Sequence, residues 1–293
     1  MLGKLMKYDM RYMAHILPWI YLGGLGASAL ISTLIILAGS ADYLLAGTVL
    51  FGFLFVIAVE AVAVCSAVFM MVRIYKNLFS DEGYLTFTLP VKNPAVVSSK
   101  ILTGAIWTLI SYAAIFIMLL LPYLALVYRI PGLVPGDILE LFGTVFSALD
   151  DSIRAYPVKT VVIIVLFILN GAAMLFYSVS LYTLCAAATH RTKKARGFAS
   201  VAMFLGVSFG VSIVRGIVAS IVNTALFESA VMDQNPVTNT SIVPFFGIFD
   251  AVVGTQMNAS IANLSVSLAF SLAVIIVSWC VSVHIVNKDL NLQ

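Results

Sequence analysis

Six stretches of this chain are almost free of polar residues, and the polar positions gather between them. The apolar runs cover about residues 16–38, 43–72, 101–127, 158–189, 198–222 and 261–286, and each approaches or exceeds the roughly 20 residues that a helix needs to cross a bilayer. The pattern predicts an all-α integral membrane protein with six transmembrane helices in a single transmembrane domain over residues 1–293. The second and fourth runs are long enough to tilt or to project from the bilayer. Lys4, Lys7 and Arg11 ahead of the first run imitate a signal peptide. The run that follows is too long for a cleavable segment and opens on Pro18-Trp19, so it reads as a retained span.

Three connections carry a pattern of their own. Between the third and fourth runs, Pro131-Gly132 and Pro135-Gly136 make turns, and Asp137–Leu149 repeats apolar residues at helical spacing, as an interfacial helix would. Between the fifth and sixth runs, the apolar segment 242–250 is too short to span and reads as a re-entrant element. After the second run, Tyr84, Leu85, Phe87 and Leu89 follow the acidic pair Asp81-Glu82 in a loop that should face water. Pro90 ends that segment because it lacks a backbone donor, and Asn93-Pro94 starts a new helix as N-cap and first helical residue. An aromatic and aliphatic patch held between two spans is a candidate docking surface for a partner.

Composition sharpens this reading. Hydrophobic residues make up 62% of the chain, charged ones 10%, and mean hydropathy is +1.08. A soluble domain carries about a quarter charged residues, so lipid is the main solvent here. Of the 16 Lys and Arg, twelve (Lys4, Lys7, Arg11, Arg73, Lys76, Lys92, Lys100, Arg191, Lys193, Lys194, Arg196, Lys288) fall on one side of the six-span arrangement. Arg129, Arg154 and Lys159 fall on the other, among most of the acidic residues. The positive-inside rule then predicts cytoplasmic termini, with the loops after the second and fourth runs also inside a cell (cytoplasmic) membrane. Nothing in this charge pattern points to nucleic acid.

At the loop after the second run the sequence resembles a family. Glu82-Gly83, then Leu85, then Leu89-Pro90-Val91, then Lys100 opening the next span, is similar to the ABC-2 type permeases, the membrane subunits of ATP-driven exporters. The segment Leu2–Tyr12 is similar to the amphipathic lead-in helix of such permeases. The resemblance implies that Asp81, Glu82, Gly83, Tyr84, Leu85, Phe87 and Pro90 form a cytoplasmic coupling elbow that contacts a nucleotide-binding ATPase subunit. It also implies that a second permease copy or a paralogue completes the pathway. No Gly-x-x-x-x-Gly-Lys-Ser/Thr occurs in the chain, so ATP and magnesium would be bound by the partner subunit and not by this one. No catalytic or metal-binding role is expected here.

Two charges lie inside the predicted spans. Helical rise puts Glu60 about 18 Å and Arg215 about 26 Å from the cytoplasmic ends of their runs. Each should face protein or water, and they would pair or separately line the transport path. An ion-coupled secondary transporter using Glu60 is the alternative function, although paired Gly/Pro interruptions of the spans are not evident. An intramembrane enzyme or immunity factor is a third, without a catalytic motif to support it. Cys65, Cys185 and Cys280 sit apart in apolar runs and read as inert buried thiols. Trp19, Tyr21, Tyr128, Tyr156 and Trp279 read as interfacial anchors. Gly23, Gly24 and Gly26, with Ser178 and Ser180, read as surfaces for close helix packing.

Overall fold

A computed structural model describes residues 2–37, 41–79, 93–129, 135–189, 196–232 and 257–289. These residues form seven helices: α1 (Leu2–Leu37), α2 (Ala41–Phe79), α3 (Asn93–Arg129), α4 (Pro135–Ala155), α5 (Pro157–Thr189), α6 (Arg196–Met232) and α7 (Met257–Asp289). All but α4 are long and apolar enough to cross a membrane. A helix satisfies its own backbone, which is why apolar runs of this length become helices in lipid. Large side chains such as Phe53, Val56, Phe116, Ile168 and Phe209 stand exposed along the spans. In water so much uncovered apolar surface would aggregate, so the chain is a multi-pass membrane protein.

The lead-in segment is not a separate element. It runs through Pro18 into the first span as one 36-residue helix. No helix breaker lies between Tyr12 and Pro18, and membrane helices tolerate an internal proline. As anticipated, α3 begins at Asn93-Pro94 and continues past Lys100 into its span. The amphipathic segment after the third run is helix α4. It passes almost directly into α5, since Tyr156 N–H donates to the Ser152 carbonyl at 2.9 Å and Thr160 Oγ1 donates to the same carbonyl at 3.0 Å. Pro157 occupies the first helical position of α5, where its missing N–H costs nothing.

The chain divides into two compact units. The first comprises Met1–Ile138, Val179–Met203 and Ser278–Gln293, and the second Leu139–Ser178 and Phe204–Val277. In the first unit α1 packs chiefly along α3 and secondarily on α2. Its buried stripe is Asp9, Met13, Leu17, Tyr21, Ser28, Ser32 and Ile35, one face of a helix. Polar groups tie the interface: the Tyr21 hydroxyl and Ser111 Oγ are 2.6 Å apart, and Ser28 Oγ donates to the Met118 carbonyl at 2.7 Å. Tyr21 is thus a core residue and not an interfacial anchor, whereas Trp19 and Tyr128 are exposed. Of the cysteines, Cys185 is buried, but Cys65 and Cys280 are exposed on their helices.

In the second unit Ile163 and Met257 are buried together, with Ile261 and Leu264 packed against them. Asn170 on α5 donates to the Leu264 carbonyl of α7 at 3.0 Å, an interhelical hydrogen bond of the kind that joins helices in lipid.

Candidate functional site

The predicted elbow residues Asp81, Glu82, Gly83, Tyr84, Leu85, Phe87 and Pro90 lie outside the described residues, as does the segment 242–250. What the structure describes is their frame. Among the described residues α2 ends at Phe79 and α3 begins at Asn93. Close to both points the first unit holds a buried polar cluster that joins three helices.

Its centre is Asp9 of α1. One carboxylate oxygen accepts from Asn77 Nδ2 of α2 at 3.0 Å, and the other is ion-paired with Lys100 Nζ of α3. Both members of the ion pair are 5% exposed. A buried ion pair of this kind is held only where geometry and extra hydrogen bonds offset the loss of water. Arg73 of α2 lies over the Tyr12 ring of α1, 3.6 Å from its centroid, a close cation–π contact. The pocket lined by Asp9, Met13, Arg73, Ile74, Asn77, Lys100 and Thr103 leaves no room for a water molecule. Within it, Asn77 Oδ1 and Thr103 Oγ1 are buried without a hydrogen-bond partner among the described residues. Among the described residues the cluster is thus tightly closed, with two buried polar atoms that the low local dielectric makes costly to leave unpaired.

Neighbouring contacts extend the frame. Asn93 Nδ2 at the start of α3 donates to Asn287 Oδ1 of α7 at 2.8 Å, and Trp279 Nε1 donates to Ser98 Oγ at 3.1 Å. The first turns of α3 are thus gripped by both ends of the chain. Sequence reasoning picked out Lys100 but missed Asp9 and Asn77.

The two intramembrane charges fall in different units. Glu60 is exposed on α2 within the first. Arg215 of α6 has partners inside the second: Nη2 donates to Ser267 Oγ of α7 at 2.8 Å, and Nη1 lies 3.9 Å from Met174 Sδ of α5. Among the described residues no three His, Cys, Asp or Glu side chains cluster as metal ligands.

Fold and site together define a helical, multi-pass membrane protein with a buried charge cluster at the root of one inter-span connection. No family model, no curated protein and no solved structure matches the chain.

Proposed function

We propose that this chain is the membrane subunit of an ATP-driven exporter of the ABC-2 type, paired with a second copy or a paralogue and powered by separate nucleotide-binding subunits. The observation that carries this reading is the run from Glu82 to Lys100, with its acidic residue beside glycine, its apolar patch, its Pro-Val and its lysine at the mouth of the next span. Orientation belongs to the same proposal: both termini and the elbow face the cytoplasm, and the membrane is the cell membrane.

The Asp9 cluster supplies a mechanical path. Closure of the ATPase subunits would press the segment between Phe79 and Asn93. Asn77 and Lys100, at its two roots, both hold Asp9, so displacement of either root pulls on α1 as well. Three spans would then move together in alternating access, with ATP and magnesium remaining on the partner.

Co-purification tests it. The native chain should bring down an ATPase subunit carrying a P-loop, and Tyr84→Asp or Leu85→Asp should abolish that association while the chain stays monodisperse in detergent. Retained association and unchanged ATPase activity in both variants would remove the elbow as the contact. A second reading has the exposed Glu60 carboxylate as a proton or ion carrier. It gains if transport collapses with the proton gradient and continues without any ATPase.

A further inference from the structure

The buried stripe of α1, from Asp9 through Met13 and Leu17 to Tyr21, leaves the opposite side of the helix uncovered. On that side Lys4, Lys7, Arg11, His15 and Trp19 recur at spacings of three and four residues, so they share one face, and all five are exposed. The same face continues into the span through Leu22, Ala29 and Ile36, which are exposed as well. One face of one continuous helix is thus basic from Lys4 to His15 and apolar from Trp19 onward.

The helix itself gives no reason for this charge. Cations near a helix N-terminus oppose the macrodipole, and α1 has no acidic residue in its first turn. Its one acid, Asp9, lies on the buried face and is held by Asn77 and Lys100. An indole at the end of an apolar run settles at the level of the lipid headgroups. Helical rise puts His15 about 6 Å and Arg11 about 12 Å from Trp19 toward the N-terminus, where their side chains reach headgroup phosphates. Lys7 and Lys4 stand about 18 and 22 Å from it and act through a field that decays over about 8 Å.

Charge complementarity calls for an anionic partner, and a lipid surface or an acidic protein would supply one. The lipid fits better. A molecule with an anionic head and an apolar body meets both halves of this face at once, whereas an acidic protein surface meets only the first. Basic segments beside a span are recognised by anionic lipids in this way.

We propose that this face of α1 is a binding surface for anionic phospholipid. Arg11 and His15 hold the headgroup phosphate, Lys7 and Lys4 extend the attraction, and the acyl chains lie along Trp19, Leu22 and Ala29. The inference rests on the continuity of α1 and not on the transport role.

Native mass spectrometry of the detergent-purified chain, titrated with phosphatidylglycerol or with phosphatidylcholine of the same chain length, tests it. Half-saturation by phosphatidylglycerol should come at the lower concentration. Arg11→Gln should raise that concentration about fivefold, the scale of one basic residue near a charged membrane surface. Lys4→Gln, Lys7→Gln and Arg11→Gln combined should bring it to the phosphatidylcholine value. These side chains are exposed, so the substitutions leave the packing of α1 intact. Lys288→Gln, also exposed but on α7, should change nothing, and excess glycerol phosphate, a headgroup without acyl chains, should not displace the lipid. A preference that survives the triple substitution, an equal loss in Lys288→Gln, or displacement by glycerol phosphate would each overturn the proposal. Equal binding of the two lipids by the native chain would overturn it too, and would leave the stripe to an acidic protein.

Discussion

The ion pair between Asp9 and Lys100 is worth less to stability than either charge would cost if left alone. Removing two charges from water offsets most of their attraction, so replacing a buried pair with apolar side chains is often neutral, while removing one partner costs about 3–5 kcal/mol. Lys100→Met leaves the Asp9 carboxylate with only the Asn77 amide among its described partners, at 5% exposure. It should therefore lower the unfolding temperature in detergent markedly, and Asp9→Leu in the Lys100→Met background should return most of the loss. Equal melting of the single and double variants would mean that the pair does not couple α1 to α3. Lys100 was legible in the sequence because its pattern with Pro90 could be read locally. Asp9 was not, because its partner is 91 residues away and the pairing exists only once the helices pack. A weaker signal was nonetheless present. Asp9 falls at four-residue spacing with Met13, Leu17 and Tyr21, which puts the one acid of the lead-in segment on the face that is buried.

Among the elements, the number and order of the six long apolar helices could be read from the sequence, though not their ends, because a bilayer demands long apolar helices and little else satisfies that demand. Close approach between helices could not. Gly23, Gly24 and Gly26 are equivalent in sequence, yet a Cβ added at Gly23 or Gly26 meets nothing, while one at Gly24 would come within 2.6 Å of Val62 Cγ2 and 2.7 Å of Met118 Cε. Gly104 was not singled out at all, and it is the tightest contact of the set: its added Cβ would lie 2.5 Å from Val179 Cγ1 and 3.1 Å from Cγ2. Gly104 faces both methyls and the Cβ of one valine, which is stiff about χ1, whereas Gly24 faces a single methyl of Val62 and a methionine tip that bends away. Gly104→Ala should therefore force α3 and α5 apart and cost about 1–3 kcal/mol, more than Gly24→Ala, and Val179→Ala should rescue it. Gly23→Ala and Gly26→Ala should be neutral or slightly stabilising through helix propensity. Thermal melts of these five variants check the ordering, and a harmless Gly104→Ala would show that the helices do not approach as closely as described.

For the whole molecule the governing quantity is the distribution of charge across the bilayer. Twelve basic residues on one side against three on the other would, by the positive-inside rule, put both termini in the cytoplasm, the orientation that the exporter proposal needs. That orientation decides whether the root of the elbow, with Asp9, Asn77 and Lys100, faces the compartment that holds ATP. Single cysteines in a background lacking Cys65, Cys185 and Cys280 can read it. Lys76, at the end of α2, and Lys288, near the end of α7, are exposed, and so is Ser147 on α4. An impermeant maleimide added to intact cells should label Ser147→Cys and should reach Lys76→Cys and Lys288→Cys only after lysis. The reverse pattern would place the elbow where no ATPase subunit can press on it, and the exporter reading would fall.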